Sequence, residues 1–585
     1  MKYATLLKIL DTLCKEAPAT YKRYRPGKSE PEKLIHARSL AFIHIYLKVK
    51  FGLVDFLTRE AFITDGSHDG GVDAYYIDEE AKVVYMLQSK FRATESNFEE
   101  KEIAPDELLS MEVSRITKGQ VADSKGNDFN DKIRAFQKRL QDTRDIARYD
   151  FKVIILANLK RYADEQIRRL IDNCNYEVFD FERTYKELVF PVCTGTYYDP
   201  NQIEIRLHLL RKHSPQLYQE VETLYGTSEL RIIYVPLIEI ARVVLKYKNA
   251  LLRFNPRNFL SLSNNQVNRC IRDTAITDTK NAFALLNNGI TILCSDASMT
   301  DRTGATGVGQ LVIRNPQIIN GGQTACSLAE AFNNDAANES KMSDKEVLLK
   351  VVSEPKGLPV DRLSEFIELI SDATNQQTLV VEADRRANDI KMRQIQDYFY
   401  NAHGLFLEKK KGEFLYGLQD KYLSKAQIVD RVDLIRNYLA FSGGVAKART
   451  SQTVIFEESA FEAMLAKFDQ RRIFLSYSAA QDLEAKARPF AKMPKKPNYA
   501  SGYAKYAILA ACGIVANKPR SAGDDLKQEG AAILNLVTDN WTNFEQHIRA
   551  LPHNAKYVGT AGFSSDNYYK GDTIDADVKA FFASL

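Results

Sequence analysis

Apolar residues return every third or fourth position from Glu32 to Phe51, at Leu34, Ala37, Ala41 and Ile45, which predicts a long helix with one buried face. A polar, Pro-containing stretch, Tyr21 to Glu32, precedes it. The spacing then changes to short alternating runs, predicting strands over Arg59–Thr64, Val72–Ile77 and Lys82–Gln88. The charged segment Ala93–Asp128 reads as an inserted or flexible excursion. A second amphipathic helix over Phe129–Arg148, a β-branched strand over Phe151–Leu156, a helix over Tyr162–Asn173 and a strand over Glu177–Phe181 complete this part. Composition shifts around Phe190–Asp199. From Leu230 to Leu349 strands alternate with turns, most clearly at Ile232–Leu237, Gly289–Cys294 and Gln310–Ile319. Beyond Leu358 the pattern is mainly helical, and Pro489–Pro497 reads as a loop or linker. The expected class is α/β, in three parts: residues 1–195, an α+β region 196–440 and a helical region 441–585.

Length and composition narrow the function classes. At roughly 150 residues per domain, 585 residues are ample for several cores without disulfide or metal staples. Eighty Lys and Arg against 76 Asp and Glu leave a net charge of +4, so a nucleic-acid surface must be a local patch. The broken apolar pattern at the N-terminus does not read as a secretory signal, and no run of about 18 apolar residues occurs. Seven scattered cysteines without a CxxC pair argue against a zinc ribbon or a disulfide framework, and the expected compartment is a reduced cytoplasm without membrane association. No GxxxxGK[ST] or GxSxG motif is present, which excludes a P-loop motor and a serine-elbow hydrolase.

The sharpest chemistry lies between Asp65 and Lys90. Asp69-Gly70-Gly71-Val72-Asp73 enters a strand, the polar turn Asp78-Glu79-Glu80 reverses it, and the next strand ends in Gln88-Ser89-Lys90. If Ile77 faces Lys82, Asp73 lies opposite Met86, and period-two alternation sets Asp73, Gln88 and Lys90 on one sheet face. A carboxylate and an amide oxygen can share a hard cation, and an ammonium beside them can stabilise charge on a phosphate. The same residues would also serve as a surface ion pair on an ordinary hairpin.

This segment resembles the PD-(D/E)xK nucleases, in particular their Mrr-like restriction-endonuclease branch, in its Asp-Gly-Gly-hydrophobic-Asp entry, hairpin and Gln-x-Lys exit. The resemblance covers roughly residues 30 to 190. It implies a restriction-endonuclease-like αβββαβ core and Mg²⁺- or Mn²⁺-dependent DNA cleavage. It makes Asp73 the metal carboxylate, Gln88 the second ligand and Lys90 the catalytic lysine. Many members add a carboxylate from the first helix, where Glu32 fits by position. Because Gln88 is neutral where many relatives carry an acid, Glu32, Asp69 or Glu60 are the further ligand candidates.

A second constellation is Asn315-Pro316-Gln317-Ile318-Ile319-Asn320-Gly321-Gly322-Gln323-Thr324, where an apolar strand runs through a Gly-Gly turn into a helix near Thr324. Such a turn presents backbone N–H groups to an anion, and Asn320, Gln323 and Thr324 add neutral hydrogen bonds. Equally, the glycines form a tight connection and the amides cap it. Asn255-Pro256-Arg257, Asn287-Asn288-Gly289 and Asn375-Gln376-Gln377-Thr378 carry further amides. In this order, the blocks at 287–292, 318–324, 373–378 and 404–413 are similar to the AIPR (abortive infection phage resistance) family, over roughly residues 230 to 439. That resemblance implies anti-phage defence in bacteria. It leaves Asn320, Gly321, Gly322, Gln323, Thr324, Arg257 and Asn288 as candidate nucleic-acid or ligand contacts.

The helix over Phe129–Arg148 carries Lys132, Arg134, Lys138, Arg139, Arg144 and Arg148, a phosphate-tracking surface or a solvated face. The expected function is a metal-dependent DNA endonuclease in anti-phage defence, with the AIPR-like region recognising a target or trigger. The alternatives are a catalytically silent nuclease fold acting as a nucleic-acid or nucleotide sensor, and an RNase. Partners expected are DNA or RNA, a second copy of the chain, and neighbouring defence proteins.

Overall fold

Pro31 opens the first long helix, where its missing N–H costs nothing, and the helix runs Pro31–Lys50 as the periodicity predicts. Ala37, Ala41 and Ile45 are buried, whereas Leu34 in the first turn is exposed. The computed structural model describes the chain except for residues 28–29, 80, 105–110, 161–162, 199–202, 210–215, 256–265, 278–281, 301–308, 336, 376–385, 451, 458–460, 462–468, 491–492, 494–496, 501, 518–524 and 561.

The helix covers one face of a four-stranded sheet, β1 (Ala74–Asp78), β2 (Val83–Ser89), β3 (Asp150–Leu156) and β4 (Asn175–Val178), in that spatial order. β1 and β2 form an antiparallel hairpin; β2, β3 and β4 are parallel. Alternation decides which side chains meet which layer. Phe51, just past the helix, stacks on Tyr76 and packs on Tyr85. Tyr75, Met86 and Val153, one above another in register, turn to the opposite face and pack with Phe136 of the helix Asp131–Asp142. The Tyr75 and Phe136 rings stack at 4.0 Å.

Three sequence expectations change here. Arg59–Thr64 is not a strand. Asp55 caps a short helix, Phe56–Glu60, and the run contributes only the bridge residue Ile63, paired with Ala74. Arg59 is fully buried, and its guanidinium donates to Leu53 O, Val54 O, Glu16 and His44, contacts that outweigh the run's strand propensity. The hairpin register differs by two: Ile77 faces Val84, not Lys82. Lys82 takes a left-handed conformation and belongs to the loop, which Asp78 closes by accepting the Ala81 N–H at 2.9 Å. A two-residue difference preserves the face of every side chain. The excursion is also tied down, since Phe98, Ile103, Met111, Val113 and Ile116 are buried.

A five-stranded sheet follows, in the order β11 (Gln317–Asn320), β8 (Ile290–Cys294), β12 (Glu346–Ser353), β7 (Gly226–Pro236) and β6 (Gln216–Thr223). A three-stranded sheet has the order β5 (Glu204–His208), β10 (Gln310–Arg314) and β9 (Asp296–Thr300). The single strand expected over Gln310–Ile319 is therefore two strands in different sheets. Left-handed Asn315 and Pro316, which supplies no N–H, break the run between them.

The chain divides into two compact units, residues 1–367 with 412–425, and residues 368–411 with 426–585. The second is mainly helical, as expected beyond Leu358, with two short strand pairs among the described residues, parallel Phe406–Glu408 with Ile428–Asp430 and antiparallel Val558–Gly559 with Gly562–Phe563. Among the described residues no helix is long and apolar enough to cross a membrane.

Candidate functional site

The loop between Thr64 and Asp73 reverses so tightly that the N–H groups of Thr64 and Asp65 both donate to Asp73 O, at 2.9 and 3.0 Å. His68, Gly70 and Gly71 all have positive φ. At Gly70 a side chain has no room: a Cβ would stand 2.8 Å from the Phe129 ring. This fold-back brings Asp65, Asp69 and Asp73 together, with one carboxylate oxygen from each lying within 4.8 Å of the other two.

Asp73 immediately precedes β1. Continuing the register one step sets it directly across from Gln88, a closer placement than the diagonal one expected. The Ser89 N–H donates to Asp73 Oδ2 at 2.7 Å and fixes the carboxylate. Gln88 is buried on β2. Lys90 follows the strand, its backbone N–H bonded to Leu156 O. Burial pushes the Asp73 carboxyl from its ordinary 3.8 up to about 8; the Ser89 N–H opposes the rise, Asp69 and Asp65 add to it, and the Lys90 ammonium opposes it. Lys90 therefore lies within electrostatic reach of Asp73. Burial likewise raises Asp69, against the Gly71 and Gly66 N–H groups that its two oxygens accept at 2.9 and 3.1 Å.

Clustered carboxylates repel one another as they ionise, and a cation relieves that repulsion. Hard carboxylate oxygens beside a neutral amide oxygen suit Mg²⁺ or Mn²⁺ rather than a thiophilic metal. The donor set thus fits the divalent ion that the resemblance implies.

The proposed helix ligand Glu32 is exposed and is not one of the clustered acids. Glu60 is committed elsewhere. It accepts from Arg23 and Tyr24, lies 3.4 Å from His44 Nε2, and belongs to a buried network in which Arg59 bridges His44 and Glu16. Burial alone would raise the Glu60 carboxyl, but the His44, Tyr24 and Arg23 contacts bring it below its ordinary value. Burial holds the His44 imidazole down at about 4. Arg59 Nε donates to His44 Nδ1, so the ring proton sits on Nε2, facing Tyr24 and Glu60.

Asp65 was not among the residues singled out from sequence, although the four-residue spacing Asp65, Asp69, Asp73 was a visible signal. Of the four basic residues on the Asp131–Asp142 helix, Lys132, Arg134, Lys138 and Arg139, Lys138 is exposed. Arg139 lies over the Phe62 ring at 4.9 Å and reaches Tyr75 Oη at 3.4 Å, so part of its surface is used in packing.

Much of the amide block holds its own fold together. Gln317 is buried, donating to Ala250 O and accepting the Arg253 N–H, and Asn255 donates to Ile318 O. Asn287 exchanges hydrogen bonds with Thr324 and accepts the Gly289 N–H. Asn320 Oδ1 accepts the Gly321 N–H at 2.6 Å. A Cβ at Gly321 would meet Gly289 O at 2.6 Å, and one at Gly322 would meet Asn255 Nδ2 at 2.9 Å. The helix begins at Gly322, so Gln323 stands in its first turn, partly exposed, and Asn288 is exposed. Arg257, Gln376, Gln377 and Thr378 lie outside the described residues.

The model of the family described as AIPR protein matches residues 252–553, more than half of the chain; the match includes the amide block and begins well after the carboxylate site. Neither a curated protein nor a solved structure matches the chain.

Proposed function

The chain belongs to the AIPR family, and we propose from that membership that it is a bacterial anti-phage defence protein, and from its clustered carboxylates that its N-terminal part, which lies outside the family match, cleaves DNA with Mg²⁺ or Mn²⁺. The observation that carries the nuclease reading is the meeting of Asp65, Asp69 and Asp73 within 4.8 Å, at the hairpin that also holds Gln88 and Lys90. The order of helix, hairpin, helix, strand, helix and strand supports a restriction-endonuclease-like core with its first strand reduced to the bridge residue Ile63.

The residues divide the work. Asp73, oriented by the Ser89 N–H, and Asp65 offer carboxylate oxygens; Gln88 offers an amide oxygen across the hairpin. Asp69 shapes the loop through the Gly66 and Gly71 N–H groups and adds charge to the cluster. A divalent ion held there would supply Lewis-acid stabilisation of the phosphate and make water a better nucleophile. The Lys90 ammonium stabilises the charge that builds on the phosphate during attack. The AIPR region recognises the target or trigger in the cytoplasm and restrains the N-terminal part until infection. One centre per chain calls for two chains to cut both strands.

A second reading, a silent nuclease fold that binds nucleic acid as a sensor, draws on two observations. Asp73 holds its proton near neutral pH, and both Asp69 oxygens accept loop N–H groups. Digestion of DNA and RNA panels by the purified chain with Mg²⁺, beside Asp73→Ala and Lys90→Ala, separates the readings. Cleavage by wild type and by neither variant supports the nuclease, and RNA cut in preference to DNA reassigns the substrate. Cleavage that survives in both variants moves the chemistry elsewhere. Nucleic acid bound but never cut by wild type favours the sensor.

A further inference from the structure

The loop that carries Asp65 and Asp69 is held from outside by the start of the Asp131–Asp142 helix. Asn130 caps that helix: its Oδ1 accepts the Ile133 N–H at 2.9 Å. Its Nδ2 turns the other way and donates to Thr64 O at 3.3 Å and Ser67 O at 3.1 Å. Its backbone N–H donates to His68 O at 3.0 Å, and Lys132 Nζ reaches Asp65 O at 3.4 Å. Four carbonyls within five consecutive residues thus hang from Asn130 and Lys132.

A helix cap needs only the oxygen, and Ser, Thr or Asp supplies it as well as Asn. The amide does more, because its nitrogen grips the loop on both sides of Gly66, where a Cβ would come within 3.6 Å of it. The gripped segment is the one that must stay folded against charge. Carboxylates this close repel one another as they ionise, and a loop with left-handed His68, Gly70 and Gly71 has little regular structure to resist that.

We propose that Asn130 is a positioning residue of the metal site: its Nδ2 bonds set the spacing of the Asp65 and Asp69 carboxylates and thereby the affinity for the divalent ion. This rests on the metal reading above. Groups that orient metal ligands change affinity by about tenfold to a hundredfold when removed. Asn130→Ser keeps a capping oxygen and loses both Nδ2 bonds; Asn130→Ala loses the cap as well.

The test is calorimetric titration of Mn²⁺ into the full-length wild type and both variants, with thermal unfolding in EDTA alongside. Both variants are expected to bind Mn²⁺ about tenfold more weakly. Only Asn130→Ala should unfold at lower temperature, and saturating Mn²⁺ should restore any cleavage that Asn130→Ser loses at low metal. Wild-type affinity in Asn130→Ser overturns the role, as does loss of thermal stability in Asn130→Ser equal to that of Asn130→Ala. A wild type that takes up no Mn²⁺ refutes the metal reading, and this role with it, whereas wild-type binding matched by Asn130→Ser refutes the role of Asn130 alone.

Discussion

Replacing Asp73 by Asn should stabilise the metal-free protein, and by more as the pH rises. In the folded chain Asp73 keeps its proton up to about pH 8, whereas in the unfolded chain it ionises near 3.8. Below 3.8 both states are protonated and the residue contributes no difference. Between 3.8 and about 8 the unfolded state gives up a proton that the folded state keeps, so stability falls as pH rises through that window and then levels off. Each pH unit in it corresponds to about 1.4 kcal/mol, giving an upper bound of about 4 kcal/mol at pH 7. Water reaching the loop reduces that figure to about 2 kcal/mol or somewhat more. Asparagine keeps an oxygen for the Ser89 N–H and has nothing to titrate. Urea unfolding in EDTA, followed by circular dichroism, should show the two proteins equal near pH 4 and the variant ahead at pH 7.5. Saturating Mg²⁺ should reverse the order, since a ligand at a hundred times its Kd adds about 2.7 kcal/mol to wild type alone. An Asn variant no more stable than wild type at pH 7.5 in EDTA would mean that Asp73 is well solvated and the cluster is not assembled.

Further outcomes follow from individual contacts. Lys90→Met should bind Mn²⁺ as wild type does yet cleave at least about a hundredfold more slowly, read from single-turnover rates; unchanged rates would remove Lys90 from the chemistry. Arg59→Ala leaves Leu53 O, Val54 O and one Glu16 oxygen without their partner, while Glu16 keeps Lys48, and should cost about 2–4 kcal/mol in chemical unfolding followed by circular dichroism. Gly70→Ala meets both a positive φ and the Phe129 ring, so it should weaken Mn²⁺ binding and lower stability by about 1–3 kcal/mol. Gly321→Ala should destabilise comparably through its contact with Gly289 O, while Gln323→Ala should leave the melting temperature unchanged; the reverse order would contradict a structural role for the amide block.

Sequence reasoning read best what alternation encodes. Period two set Asp73, Gln88 and Lys90 on one face of the hairpin, and the two-residue register difference left that face intact. The register itself rests on the left-handed Lys82, a conformation that a lysine does not advertise. Tertiary contacts decided the other departures. Arg59 stands in the last turn of a short helix where the run reads as a strand, reaching His44, Glu16 and two carbonyls, all but the last pair distant in sequence. Asp65 joined the site because the loop folds back onto Asp73 O, and Asn130 joined it across more than sixty residues. At Asn315-Pro316 the break was visible as a turn signal inside an apolar run, and it separates two sheets. The amides of the second block could not be assigned from composition, because an amide that bolts a strand and one that binds a ligand look alike until the partners of Gln317 and Asn255 are seen.

The proposed function stands on Asp65, Asp73 and Gln88, with Asp69 beside them, holding a divalent ion. Anomalous diffraction from crystals of the full chain grown with Mn²⁺ tests it directly. A peak is expected between Asp65 and Asp73, within about 2.1–2.3 Å of a carboxylate oxygen of each and facing Gln88. Crystals at saturating Mn²⁺ with no peak there, the three carboxylates still clustered, would contradict it.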